Sequence, residues 1–127
     1  MKDGATEGRK WLDQAENELD LAENALSGAH FHQVCHVAHQ SAEKALRALH
    51  LADGEHNASA ASAAELLAGL LERRPQLEPL RVLVAELDPY CVPPRDGNHL
   101  AFTGAHAERA LEAARTIVDA ARRALHV

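Results

Sequence analysis

Apolar residues recur at every third or fourth position through three long segments, 6–26, 30–52 and 104–125, which is the spacing of one face of an α-helix. Hydrophobic residues make up 46% of the 127-residue chain but aromatic residues only 3%, so these faces consist mainly of alanine, leucine and valine. Alanine and leucine are strong helix formers. The sequence therefore predicts helices packed on helices, in a single domain that spans 1–127.

The breaks between the helical segments predict how the helices are arranged. A short turn at 27–28 separates the first two long helices, which must then lie antiparallel. Ser62 and Glu65 have the spacing of a capping box that opens a third helix, and Pro75 interrupts the pattern before a short fourth helix. Thr103 is placed to cap the last helix. We predict an all-α, up-and-down bundle of four to five helices, with two long antiparallel N-terminal helices and a long C-terminal helix.

The charge of the chain limits what it can bind. A formal net charge of −6 argues against a broad affinity for polyanions, so any contact with nucleic acid must be local. On the last helix, Glu112 with Arg115 and Asp119 with Arg123 are spaced as ion pairs of a solvated face.

Two further features concern the cellular setting. No apolar run approaches the roughly 20 residues that cross a bilayer, and the first residues do not resemble a signal peptide. Cys35 and Cys91 lack the spacing of metal ligands and are expected to be free thiols in a reducing compartment. We therefore expect a soluble cytoplasmic protein with no membrane contact and no cofactor.

The segment 88–103 is the longest irregular stretch, and loops of this length in compact domains are often functional. It carries Arg95 and His99. Histidine suits proton transfer near neutral pH, and arginine suits phosphate because its planar fork stays charged. The same residues are also typical of an ordinary turn, in which Asp96 neutralises Arg95 and Gly97 supplies a positive φ.

Several motifs taken in order resemble a known family. They are Trp11-Leu12 with Ala15-Glu16, the run AHQSAEKALRAL over 38–49, the turn Gly54-Glu55-His56-Asn57, Tyr90, Arg95, and the run AERALEAAR over 107–115. Together they resemble the HEPN family (higher eukaryotes and prokaryotes nucleotide-binding). The most specific part of the likeness is Gln40-x-x-Glu43-Lys44 followed by the turn at 54–56.

The resemblance implies a helical bundle that usually forms a homodimer. Many HEPN members are metal-independent ribonucleases, and small ones often act as toxins paired with a minimal nucleotidyltransferase antitoxin. Others lack nuclease activity and bind a nucleotide or a partner protein. Nuclease members carry an arginine and a histidine separated by four to six residues, whereas three residues separate Arg95 from His99. A toxin subfamily that its nucleotidyltransferase modifies has a tyrosine two residues after that histidine, where this chain has Ala101.

These observations give the candidate site. As a ribonuclease, the chain is expected to bind phosphate through Arg95 and to use His99 as general acid and base, each completed by the same residue of a second copy. Tyr90 either stacks a base or anchors the loop on the bundle. Glu43 either orients a loop residue such as Arg95 at the nucleotide or RNA site, or serves the fold alone. Trp11 is expected in the core or at a dimer interface.

A stripe of histidines on the second helix offers a third interpretation. His32, His36 and His39 lie on one side of the helix with Glu43, and imidazoles one turn apart can hold zinc. The bundle lacks the repeated Glu-x-x-His pairs of carboxylate metal sites, and a helix face that packs on a neighbouring subunit explains the same pattern. We therefore predict no native metal site and keep a histidine-rich metal binder as the third alternative.

Overall fold

The computed structural model describes residues 4–55, 62–90 and 103–125, which form five α-helices, two short 3₁₀ turns and no strand. The helices are α1 (Gly4–Ser27), α2 (Phe31–Ala52), α3 (Ala63–Leu71), α4 (Leu80–Leu87) and α5 (Gly104–Leu125). The 3₁₀ turns are Pro75–Leu77 and Asp88–Tyr90. The predicted all-α bundle is confirmed. In these ranges no helix is both long enough and apolar enough to cross a membrane.

Helices α1 and α2 form an antiparallel pair in close contact. Two glycines near the start of α1 face the end of α2, where a Cβ atom on Gly8 would lie 2.7 Å from the carbonyl oxygen of Ala48 and one on Gly4 would meet that of Leu51. Farther along α1, Lys44 of α2 donates to the carboxylate of Glu18. At these two positions the backbones of α1 and α2 are so close that only glycine fits without a shift of the helices.

Helix α5 runs antiparallel to α1 and therefore parallel to α2. Arg122 near the end of α5 pairs with Asp13 at 2.8 Å and with Glu16 at 2.9 Å, and Arg115 pairs with Glu23 at 2.7 Å. Arg115 and Arg122 therefore reach across to α1. As a consequence, α2 and α5 begin at the same end of the bundle. The two ion pairs predicted within α5, Glu112 with Arg115 and Asp119 with Arg123, are not among the ion pairs of the described residues, so this prediction is wrong.

Helix α2 is the centre of the core. It packs against α1, α5 and α3, and its buried surface is wider than the single apolar face predicted from the spacing of its residues. The additional buried residues are Cys35, His39, Ser41, Leu46, Ala48 and His50. On α1, Leu12 is fully buried, while Trp11 packs against the edge of the core and is only partly buried.

Helix α3 is fixed at its start and along its inner face. The predicted capping box is present, since the Glu65 amide donates to Ser62 Oγ at 3.2 Å and the Ser62 amide donates to Glu65 Oε1 at 3.0 Å. His50 Nε2 of α2 donates to the Leu66 carbonyl at 2.8 Å, which binds the third helix to the second.

Asp53, at the end of α2, makes the fold sensitive to acid. It accepts hydrogen bonds from Arg74 at 2.7 Å and from Arg73 at 3.3 Å. Partial burial opposes its ionisation, but these arginines outweigh burial and hold the pKa of Asp53 below its ordinary value. The unfolded chain then binds more protons, so this stabilisation is present above about pH 4 and is lost as the pH falls further.

We expect Asp53→Asn to lower the free energy of unfolding by about 1 to 2 kcal/mol at pH 7 and by less at pH 3. Urea denaturation across this range measures the effect. Glu78→Gln is the matched control, because Glu78 pairs with Arg81 on an exposed surface and should contribute little. An Asp53→Asn loss as large at pH 3 as at pH 7 would contradict the ionic origin of the stabilisation.

Candidate functional site

Tyr90 and Thr103 flank the segment that carries the predicted catalytic pair, and both lie at the end of the bundle where α2 and α5 begin. Arg95 and His99 lie outside the described residues, as do Cys91 and Phe102, so their roles stay predictions. The chain that carries them leaves the described structure at Tyr90 and returns to it at Thr103.

Tyr90 is held on α2 by contacts at both its backbone and its side chain. Its carbonyl oxygen accepts a hydrogen bond from His36 Nδ1 at 3.0 Å. Its phenol is hydrogen-bonded to the thiol of Cys35, and burial followed by the charge of a Cys35 thiolate raises the pKa of Tyr90. These contacts support the anchoring role of Tyr90.

Cys35 is a free thiol inside the bundle, with no exposed surface. Burial raises its pKa to about 11, against the smaller opposing effect of the Tyr90 hydrogen bond. The thiol is therefore protonated at neutral pH and is a poor nucleophile.

The three histidines of the predicted stripe have different surroundings. His32 is exposed, His36 is partly buried and bonded to Tyr90, and His39 is only 4% exposed. Within 4–55, 62–90 and 103–125, no three His, Cys, Asp or Glu side chains are arranged to hold a metal ion. The geometry of the stripe gives the metal-binding alternative no support.

His39 is a buried titratable group next to the site. Burial lowers the pKa of its imidazole, with a further small contribution from His36, while Glu43 and Asp88 oppose this shift. Its Nδ1 atom is buried without a hydrogen-bond partner among the described residues. The folded protein therefore favours a neutral His39.

Because the unfolded chain binds a proton at His39 more readily, this histidine should destabilise the fold as the pH falls below about 6.5. Between pH 8 and pH 5, we expect the free energy of unfolding to fall less in His39→Leu than in the wild type, as measured by urea denaturation. His32→Leu, at the exposed position on the same helix, should retain the wild-type pH dependence. Equal pH profiles for wild type and His39→Leu would refute this effect.

Glu43 lies about two turns along α2 from His36, so roughly 10 Å farther from the Tyr90 end. It pairs with Arg47 on the same helix at 3.6 Å, and both side chains are mostly buried. The neighbouring Lys44 bridges to Glu18 on α1. Both residues of the motif thus have partners within the fold, and a role for Glu43 in nucleotide binding stays a prediction.

The structure adds a feature that the sequence analysis missed. A hollow of about 80 Å³ opens between the end of α4 and the start of α5, and it is lined by Glu86, Tyr90, His106, Arg109 and Ala110. His106 and Arg109 are one helical turn apart and both exposed. In the sequence, both residues follow the predicted cap at Thr103 within two helical turns, which could have indicated that they lie at this end of the bundle. Their spacing is equally typical of a solvent-exposed helix face.

His106 also belongs to the cap of α5. Its backbone amide donates to Thr103 Oγ1 at 3.3 Å, which confirms the predicted cap, and its ring Nδ1 accepts from the Thr103 amide at 3.2 Å. The Thr103 hydroxyl oxygen lies 2.9 Å from the same Nδ1. The cap thus fixes the position of the ring.

A larger groove of about 790 Å³ lies between α1 and α5. Its walls include the carboxylates of Glu23, Glu108 and Glu112. Of the two arginines in its walls, Arg115 is already paired with Glu23 and Asp20 of α1, and Arg109 also lines the hollow beside Tyr90. Carboxylates repel phosphate, so this groove is a poor site for nucleic acid. The hollow beside Tyr90 is better suited to an anion.

The fold and this end of the bundle define a class of small all-α domain, built on a long antiparallel helix pair with a third long helix beside it. A family model, HEPN domain, matches residues 9–124. The chain belongs to the HEPN domain family.

Solved structures agree with this assignment. TT1696 from Thermus thermophilus is 33% identical, with a TM-score of 0.82 over 91% of this chain and 96% of its own. An HEPN domain protein from Thermotoga maritima is 26% identical, with a TM-score of 0.78 over 92% of this chain and 98% of its own. ST0689, an archaeal HEPN homologue, shares the fold at 22% identity, with a TM-score of 0.77 over 98% and 99% of the two chains. No curated protein matches the chain.

Proposed function

We propose that this HEPN protein is a homodimeric, metal-independent endoribonuclease, a toxin-like or RNA-processing module that works with a minimal nucleotidyltransferase. Family membership carries the proposal, together with the Arg95 and His99 pair in the segment that joins Tyr90 to Thr103.

The reaction needs two proton transfers and one cation. A general base removes the 2′-hydroxyl proton, and the 2′-oxygen attacks phosphorus. The bond from phosphorus to the 5′-oxygen then breaks, and a general acid protonates that oxygen. His99 is suited to the proton transfers, and Arg95 to the negative charge that develops on the phosphoryl oxygens. Each chain supplies one His99, so a dimer in which the two segments meet has two, one for each proton transfer.

The described end of the bundle favours an anionic substrate there. Helices α2 and α5 both begin at this end, and helix N-termini carry partial positive charge. The acidic net charge of −6 is spread over the whole chain, so it is compatible with a local site for phosphate.

A non-catalytic module that binds a nucleotide or a partner protein is the second candidate. The observation that favours it is the three-residue separation between Arg95 and His99, shorter than in nuclease members of the family. Such a module would bind through the same end of the bundle without cleaving RNA.

RNA cleavage by the purified, tag-free protein in chelator separates the two candidates. We expect a labelled single-stranded RNA of mixed sequence to be cut to fragments that end in a 2′,3′-cyclic phosphate. Binding of RNA or nucleotide without cleavage at any pH would favour the second candidate.

The nucleotidyltransferase partner is tested separately by purification from the native host with a tag placed at the C-terminus. We expect a minimal nucleotidyltransferase to purify with the chain in a stoichiometric complex. Ala101 occupies the position of the modified tyrosine of the toxin subfamily, so the partner is expected to act by binding the nuclease instead of modifying that position. Recovery of the chain alone from cells that express both proteins would refute the pairing.

A further inference from the structure

The hollow at the start of α5 borders Tyr90, the last described residue before the proposed catalytic segment. We propose that this hollow holds a phosphodiester group of single-stranded RNA, with Arg109 as its cation. The inference rests on the proposed function for the identity of the ligand.

Arg109 is the cation that lines the hollow. It is exposed and forms no ion pair with another described residue, whereas Arg115 and Arg122 of the same helix are each held by two carboxylates of α1. Its positive charge acts on a residue of the hollow: burial raises the pKa of Tyr90, and the charge of Arg109 lowers it. An unpaired guanidinium can donate two hydrogen bonds to the oxygens of one phosphate.

His106 forms the wall of the hollow beside Arg109. Thr103 holds the His106 ring in place before any ligand arrives, because the Thr103 amide and hydroxyl both lie within hydrogen-bond distance of Nδ1. Order that is present before binding reduces the entropy lost on binding. The hollow thus combines a flexible cation with a wall that is already ordered.

Glu86 sets the charge that the hollow accepts. Its carboxylate lines the same hollow and opposes an anion, so Glu86 and Arg109 together carry no net charge. A phosphodiester brings one negative charge and is repelled less than a dianionic phosphate. We therefore expect the hollow to prefer an internal RNA phosphate over a terminal monophosphate or inorganic phosphate.

A binding experiment with an RNA that cannot be cleaved tests this site without relying on catalysis. The probe is a fluorescein-labelled 2′-O-methyl RNA octamer without a terminal phosphate, whose blocked 2′-oxygen prevents attack, and binding is followed by anisotropy. We expect Arg109→Ala to weaken binding about tenfold and to reduce the slope of log K against log salt by about one. Glu86→Gln should tighten binding severalfold.

Arg123→Ala is the matched control. Arg123 lies near the opposite end of α5, is exposed, and likewise forms no ion pair with a described residue. Its replacement should leave the affinity for the octamer unchanged, and circular dichroism should show native helix content in every variant. Competition with inorganic phosphate should displace the octamer only at much higher concentration.

The outcomes separate this site from the proposed activity. RNA cleavage by the wild type, with octamer binding unaffected by Arg109→Ala, would refute the site and leave the nuclease intact. Octamer binding that depends on Arg109, in a protein that cleaves no RNA, would support the site and refute the nuclease. No binding of the octamer by the wild type, or equal losses in Arg109→Ala and Arg123→Ala, would overturn the site.

Discussion

Replacing His99 with alanine is expected to reduce the rate of RNA cleavage at least about a hundredfold, because a positioned acid or base contributes roughly 10² to 10⁴ to such a reaction. Replacing Arg95 with alanine should cost a similar factor, since it removes the charge that stabilises the transition state. Single-turnover cleavage in chelator measures both variants. The losses should appear in the rate of the bound complex more than in substrate affinity.

His32→Ala is the matched control for His99→Ala. His32 is exposed on α2, so its loss should alter neither the fold nor the cleavage rate. Cleavage by His99→Ala at the wild-type rate would remove this histidine from the mechanism. Equal losses in His32→Ala and His99→Ala would show that the loss of cleavage is not specific to His99.

The largest effect on stability is expected at Gly8. Alanine favours a helix over glycine by about 1 kcal/mol, so helix propensity alone predicts that Gly8→Ala stabilises α1. In the bundle, however, the new methyl group would lie 2.7 Å from the carbonyl oxygen of Ala48 and 3.4 Å from a methyl group of Leu125. A backbone oxygen cannot move away by a change of rotamer, so α1 and α2 must separate.

We expect Gly8→Ala to lower the free energy of unfolding by about 2 kcal/mol and Gly8→Val by more, since overpacking a core typically costs about 1 to 3 kcal/mol. Urea denaturation gives the values. Gly104→Ala is the matched control, because its methyl group would meet the ring of Phe31 at an ordinary 3.4 Å. A Gly8→Ala protein as stable as the wild type would show that the two helices are not packed this closely.

The helices were predictable because their signals are local. The capping box at Ser62 and Glu65, the cap at Thr103 and the break at Pro75 each act within one helical turn, and the corresponding elements appear where these signals place them. The largest difference at a boundary is at α1, which begins at Gly4, two residues before the predicted start.

The buried surface of α2 could not be predicted from one face alone. Periodicity identifies the stripe toward a single neighbour, but α2 has α1, α3 and α5 around it. Polar residues such as His50 are buried because a partner on another helix, here the Leu66 carbonyl, satisfies them. The same limit applies to Arg115 and Arg122, whose partners lie about a hundred residues away in the sequence.

Of the predicted site residues, Tyr90 and Glu43 lie within the described ranges. Tyr90 was identified as an anchor or a stacking residue, and its contacts with Cys35 and His36 support the first role. The hollow that includes Glu86, His106 and Arg109 combines two helices with a 3₁₀ turn, so no single motif reveals it.

The central claim is that two copies of the chain meet at the end of the bundle that bears Tyr90 and Thr103. Distances between nitroxide labels, measured by pulsed electron paramagnetic resonance, test this directly. The background is Cys91→Ser, in which the buried Cys35, with its raised pKa, should resist labelling. Ala105→Cys and Arg123→Cys place labels near the two ends of α5, about 27 Å apart along the helix. We expect a dimer in which the distance between the two labels is shorter for Ala105→Cys than for Arg123→Cys. The reverse order, or a monomer without any distance between labels, would contradict the claim.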